Sequence, residues 1–291
     1  MSQANAFVMQ PDQMGLLIAA LLAAGYGVKG PKLGDGAIVY GGISQASDLP
    51  LGWRDRQDNG SYLLEQSGEQ TLFSYNLGQD SWKRFFYPPR ETLFSAQRDG
   101  KDWSVEQAPE ESAPLALLGV RPCELAAIHI QDRVLMQGVY ADPLYQARRE
   151  KSFIVAVNCT QAGGTCFCAS MGTGPGAAEG YDLAITELKD ASGHVLVIEQ
   201  GSLPGGEILS SLDLPPAGKQ LKQAREAVAR TAAAMGRGLN TKGLARRLAA
   251  APEHPHWDAV AGRCTGCGNC TMVCPTCFCC TVQDTQDLSG R

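Results

Sequence analysis

Seven cysteines fall within the seventeen residues CTGCGNCTMVCPTCFCC, 264–280. A secreted scaffold spreads its cysteines so that disulfides close long loops. Thiols crowded at gaps of two and three residues instead turn several sulfurs toward one centre. No cysteine precedes Cys123 among the eleven in the chain, so the crowding is a local device. It constrains this segment to a tight loop around metal.

Cys264, Cys267, Cys270 and Cys274 follow C-x2-C-x2-C-x3-C, with Pro275 next. This is the spacing of a bacterial ferredoxin run, in which three thiolates wrap one cubane and the fourth reaches a second cluster. Gly266 and Gly268 permit close backbone approach, and N–H groups in such a loop can donate to sulfur. A structural zinc is the competing reading, with Cys264/Cys267 and Cys274/Cys277 as two C-x2-C pairs. Only six residues separate those pairs, where a zinc ribbon wants roughly 15–20. Cys277, Cys279 and Cys280 have no spacing that assigns them, and buried thiols are as good a reading as ligands.

The other four cysteines are Cys123, Cys159, Cys166 and Cys168. PLALLGV (114–120) reads as a buried strand. RPCELAAIHIQDRVLMQG (121–138) opens with a proline suited to a helix's first turn and closes at Gly138. SFIVAVNC (152–159) is a second buried strand, and the three together make a βαβ unit with parallel strands. Cys123 and Cys159 then lie just past neighbouring strand ends, at the sheet edge where α/β proteins place their sites. The loop after Cys159 supplies Cys166 and Cys168. This predicts a third metal centre, a [4Fe–4S] cluster, with a redox dithiol at Cys166/Cys168 as its rival. GTGPGA (172–177) lacks a phosphate-loop register and reads as a turn beside these cysteines. The four histidines have no metal-like spacing.

The rest of the chain sets the frame. Its 291 residues suffice for one large domain or two ordinary ones. A net charge of −5 argues against a nucleic-acid partner, which would want a basic face. MGLLIAALLAAGYGV (14–28) is too short to span a bilayer and reads as a buried first helix ending at glycines. No Lys or Arg precedes it, so neither a signal peptide nor a membrane partner is expected, and the expected compartment is the cytoplasm. Residues 30–110 read as β-rich, with strands at 36–43, 61–66, 71–77 and 103–107. SWKRFFYPPRE (81–91) reads as solvated charges flanking a small aromatic core, with a docking surface as the alternative. Residues 181–199 read as two strands around a Ser-Gly turn, and 216–250 as mostly helical. PEHPHW (252–257) is a connector. The expected fold is α+β: a β-rich amino-terminal part, a central βαβ unit, a helical segment, then a partial ferredoxin-like iron–sulfur segment. The expected boundaries are 1–255 and 256–291.

GVRPCELAAI (119–128), VAVNCTQAGGTCFCASMGTGP (155–175) and CTGCGNCTMVCPTCFC (264–279) together resemble one family. It is the iron–sulfur β subunit of soluble NAD(P)-linked nickel–iron hydrogenases (sulfhydrogenases), with its relative among the anaerobic sulfite reductases. DLPLGWRDRQDNGSYLL (48–64) and KRFFYPPRETLF (83–94) are also similar to the family's amino-terminal part. The resemblance implies an electron carrier without a substrate site. It would stand between a flavin- and NAD(P)-binding subunit on one side and a catalytic subunit, nickel–iron or sirohaem, on the other. It implies one or two [4Fe–4S] clusters at the carboxy terminus. The family's second C-x2-C-x2-C-x3-C-P run is missing here, so a truncated carboxy terminus is expected; otherwise Cys274 or Cys277 completes a single cluster. Two readings stand beside this one: a thiol-based oxidoreductase using Cys166/Cys168, and a zinc-stabilised interaction module.

Overall fold

The structure is a computed structural model and describes residues 5–76, 78, 80–107, 113–190, 193–278 and 280–286. Its centre is a seven-stranded mixed sheet. The strands of that sheet are β1 (Ala6–Met9), β2 (Gly27–Gly34), β3 (Ala37–Gly42), β8 (Leu115–Val120), β9 (Ser152–Val157), β10 (Leu183–Asp190) and β11 (Gly193–Gln200). Two hairpins stand outside it, β4 (Trp53–Asp58) with β5 (Ser61–Gln66), and β6 (Phe94–Asp99) with β7 (Asp102–Gln107). The sheet order is β1-β11-β10-β9-β8-β2-β3, and the inner four strands β10, β9, β8 and β2 run parallel. Antiparallel β11, β1 and β3 complete the two flanks.

The inner strands are apolar on both faces because both faces are covered, as parallel strands require. On one side pack α1 (Met14–Ala23) and α6 (Leu203–Ser210), through Leu17, Ile18, Leu21, Ile208 and Leu209. On the other lie α2 (Lys83–Phe86), α3 (Pro122–Leu135) and α4 (Pro143–Glu150), where Trp82, Phe86, Leu125, Ile128 and Tyr145 meet Leu117 and Ile154. The short α5 (Cys168–Met171) lies in the loop from β9 to β10, and α7 (Lys219–Ala233) covers β10 and β11 through Ala224. Small helices α8 (Leu244–Ala249), α9 (His256–Ala261) and α10 (Asn269–Val273) complete the described elements. The mixed helix and sheet content is that of an α+β protein, and the βαβ unit read from the sequence is present, with α3 and α4 in its crossover.

Three segments differ from the sequence reading. Residues 71–76 form no strand. Their backbone is claimed by side chains instead: the buried Glu187 carboxylate accepts from the N–H groups of Leu72 and Phe73, both at 2.8 Å, and Asp55 accepts from Asn76 N. Residue 77 lies outside the described residues. Helix content in 216–250 is interrupted between α7 and α8. The 81–91 segment is not solvated at Lys83, which is 6% exposed.

Candidate metal centres

The carboxyl ends of β8 and β9 lie side by side, with Val120 paired to Ala156. A register shift between Leu118 and Val120 marks a bulge at Gly119, whose φ is +103°. Only glycine takes that conformation without strain, and a bulge re-aims the residues beyond it. Arg121 comes next, then Pro122 and Cys123 in the first turn of α3. Cys159 sits two residues beyond β9, and its N–H donates to Pro175 O at 3.0 Å. The loop after it turns back so that Cys166 N donates to Gly163 O, and Cys168 opens α5.

Two close approaches hold this loop. A Cβ added at Gly164 would lie 2.2 Å from Gln57 O of β4, so only glycine fits there. Gly174 borders both Cys168 Sγ, 3.0 Å from its Cβ position, and Pro122 Cβ, at 3.4 Å. The GTGPGA run is thus a turn against the cysteines, and it brings Cys168 to the start of α3. Thr165 Oγ1 adds a bond to Gln57 Oε1 at 3.1 Å.

The four thiols Cys123, Cys159, Cys166 and Cys168 all act on one another electrostatically. Burial is the first cause that pushes the Cys123 thiol far above its ordinary value, and the charges of Glu124 and the other three cysteines add to it. Burial raises Cys159 as well, against the pull of Arg121, and it raises Cys168 with help from Cys159 and Cys166. As free groups these three stay protonated. A nucleophilic thiol needs the opposite shift.

Arg121 is the charged group beside them. It is 3% exposed, and its guanidinium donates to Phe73 O at 2.9 Å, to Tyr75 O at 2.5 Å and toward Cys159 Sγ at 3.9 Å. It also lies over the Tyr75 ring, 5.1 Å from the centroid. Burial works against its charge, while Cys159, Tyr75, Tyr40 and Cys123, each an anion once deprotonated, pull the other way, and the guanidinium lies above its ordinary value. Glu124, next to Cys123, is buried too. Burial pushes its carboxyl up to about 8, although it accepts from Tyr40 OH at 3.0 Å.

The carboxy-terminal run is built differently. Cys264, Cys267 and Cys270 are exposed, Cys274 and Cys277 are half-buried, and Cys280 is exposed. Cys279 lies outside the described residues. Gly266 and Gly268 take φ of +71° and +74°, and Gly266 N donates to Cys264 Sγ at 3.4 Å. The N–H of Asn269 is the first cause lowering Cys267, and the Thr276 hydroxyl is the first lowering Cys274, with Lys83 contributing. Cys277 is raised, chiefly by its hydrogen bond with Cys274. The run is tied to the body by α2. Lys83 Nζ donates to Thr271 O and Cys274 O at 3.0 Å and to Cys277 O at 2.8 Å, and Tyr87 OH donates to Phe278 O at 3.1 Å.

Among the described residues no three His, Cys, Asp or Glu side chains meet closely enough to ligate a single ion. A cubane makes a looser demand, since it takes one thiolate at each of four separate corners. Four mutually interacting thiols and the buried Arg121 cation, whose Nη1 points at Cys159 Sγ, fit such an anionic group. Sequence reasoning missed Arg121, Lys83, Glu124 and Glu187. Arg121 alone left a signal, a charge set between an apolar strand and a Pro-Cys pair.

By fold and site this is a mixed-sheet protein with two cysteine-rich sites, one at the sheet edge and one in a terminal loop. No family model matches the chain. It is 34% identical over 232 residues to Sulfhydrogenase 2 subunit beta of Pyrococcus furiosus, a match covering 78% of this chain and 66% of that protein. The chain belongs to the sulfhydrogenase β-subunit family. The match spans just under two thirds of the relative's length.

Proposed function

We propose that the chain is an iron–sulfur subunit of a multi-subunit oxidoreductase of the sulfhydrogenase type. It relays single electrons from a flavin- and NAD(P)-binding subunit to a catalytic subunit, or back, and is placed in the cytoplasm. The match to a hydrogenase subunit favours nickel–iron over sirohaem at the catalytic end. Among the described residues no helix is long and apolar enough to cross a membrane. The observation that carries the reading is the convergence of Cys123, Cys159, Cys166 and Cys168 at one sheet edge, in a chain that also holds the ferredoxin spacing at Cys264, Cys267, Cys270 and Cys274.

Each set of residues has its own work. Cys123, Cys159, Cys166 and Cys168 would hold one [4Fe–4S] cluster, and Cys264, Cys267, Cys270 and Cys274 would take part in one or two more. Such clusters supply one-electron chemistry when bound, at potentials set by hydrogen bonds to sulfur, net charge and exposure. The protein half-buries the internal thiols and fixes their positions through the β4 and GTGPGA contacts. In the carboxy-terminal run the Gly266 N–H donates to sulfur, and Lys83 fixes the loop. We place the boundary between the two parts near residue 255.

Anaerobically purified protein should contain iron and acid-labile sulfide in equal amounts and give low-temperature EPR signals on reduction. Cys159→Ser should remove one signal and Cys267→Ser another. Retention of every signal in both variants would sink the ligand assignment. Zinc without iron in the anaerobic preparation would favour an interaction module instead. A thiol-based reading at Cys166/Cys168 requires a lowered thiolate, and burial pushes Cys168 the other way.

A further inference from the structure

We propose that Arg121 sets the reduction potential of the internal four-cysteine site, as a fixed positive charge that favours electron entry there. This rests on the iron–sulfur reading of the site and adds to it a residue that is no ligand.

The guanidinium is placed with little freedom. Two of its bonds end on the carbonyls of Phe73 and Tyr75. That segment is held in turn by the Glu187 carboxylate, which accepts from Leu72 N and Phe73 N and is also met at Oε1 by His194 Nε2 at 2.8 Å. The remaining arm, Nη1, faces Cys159 Sγ. Arg121 is itself the residue before the first turn of α3, and its backbone C=O accepts from Glu124 N and Leu125 N. The side chain is therefore fixed at both its root and its head.

Burial raises the nearby Glu124 carboxyl, and the charge of Arg121 holds it down in part. Among the described ion pairs none includes Arg121. Its acceptors are two neutral carbonyls, a ring face and a cysteine sulfur. A buried arginine with no carboxylate in ion-pair contact, and only the largely protonated Glu124 nearby, is expensive unless negative charge resides beside it in the working protein. Four thiolates around iron are such a charge, and it grows by one when an electron arrives. A cation held in a low-dielectric setting favours that more negative state, so it raises the potential. The electron comes from an external reductant, and the guanidinium stays protonated throughout, so no proton transfer is needed.

The test is an EPR-monitored dithionite titration of the full chain with Arg121→Gln and Arg121→Lys. In Arg121→Gln the reduced-to-oxidised ratio of the internal signal at fixed potential should fall at least about tenfold, which is 59 mV for one electron. Arg121→Lys keeps the charge but loses the fork, so its internal potential should stay close to that of the parent while thermal stability drops in both variants. The carboxy-terminal signals should keep their potentials in both. An unshifted internal signal in Arg121→Gln would overturn the proposal. So would equal shifts in the two variants, or loss of the internal signal from both with the fold intact, because the charge would then not be the agent. Absence of an internal signal in the parent protein is a separate result, which sinks the ligand reading itself.

Discussion

The two cysteine-rich regions solve the same problem by opposite means. At the sheet edge, thiols are gathered by tertiary topology: α3, the end of β9 and a loop braced against β4 each contribute, and Arg121 is locked among them. In the terminal run, thiols are gathered by local spacing, with exposed Cys264, Cys267 and Cys270 in a glycine loop held mainly by Lys83 of α2 and by Tyr87 just past its end. The first arrangement is half-buried and sensitive to distant mutations. The second is accessible and leans on distant residues only through its tether at Lys83 and Tyr87.

The largest effect should come from the ligands. Cys159→Ser should cost the protein about four iron and four sulfide per chain, if the internal group is a cubane, and leave the terminal signals in place. If both regions lost iron together, their independence would be disproved. Next comes accessibility. Under mild oxidant an iron chelator should strip the terminal run at least about tenfold faster than the internal site, because Cys264, Cys267 and Cys270 are exposed while the internal four are half-buried. A single rate for all the iron, followed by absorbance, would contradict that ordering.

Smaller effects sharpen the contrast. Lys83→Met removes charge-assisted bonds to three carbonyls, worth roughly 1.5–3 kcal/mol. Limited proteolysis within 264–278 should then accelerate about tenfold or more, with the unfolding temperature of the sheet little changed. Glu187→Gln loses an acceptor for a buried N–H and should lower global stability by roughly 1–3 kcal/mol, read in urea unfolding. It should also shift the internal signal and spare the terminal one. Thr165→Ala, which removes a single half-buried bond to Gln57, should cost no more than about 1 kcal/mol.

How much the sequence disclosed depends on how far each feature reaches. The terminal spacing is local, so C-x2-C-x2-C-x3-C was legible without a fold. The internal four became legible once 114–120 and 152–159 were read as parallel strands, since parallel neighbours bring Cys123 and Cys159 to one edge. The 71–76 segment has a strand's composition, but Glu187, Asp55 and Arg121 occupy its backbone groups, and nothing in the segment itself announces them. Lys83 was hidden for the same reason. Flanked by Trp82 and Arg84 it looks like a surface charge, and only the carbonyls of a loop nearly two hundred residues later make it a clamp.

The parallel pairing of β8 and β9 has a further consequence, in time. Residues 123 and 168 stand far apart on a nascent chain, and nothing draws them together until the strands between them have registered. Iron delivered to a half-made polypeptide would find no internal cage. The terminal thiols are brought together by their own spacing and need no strand pairing to meet. If the internal thiols hold a cluster as proposed, maturation has a built-in order at the sheet edge, with the strands closing before metal can enter.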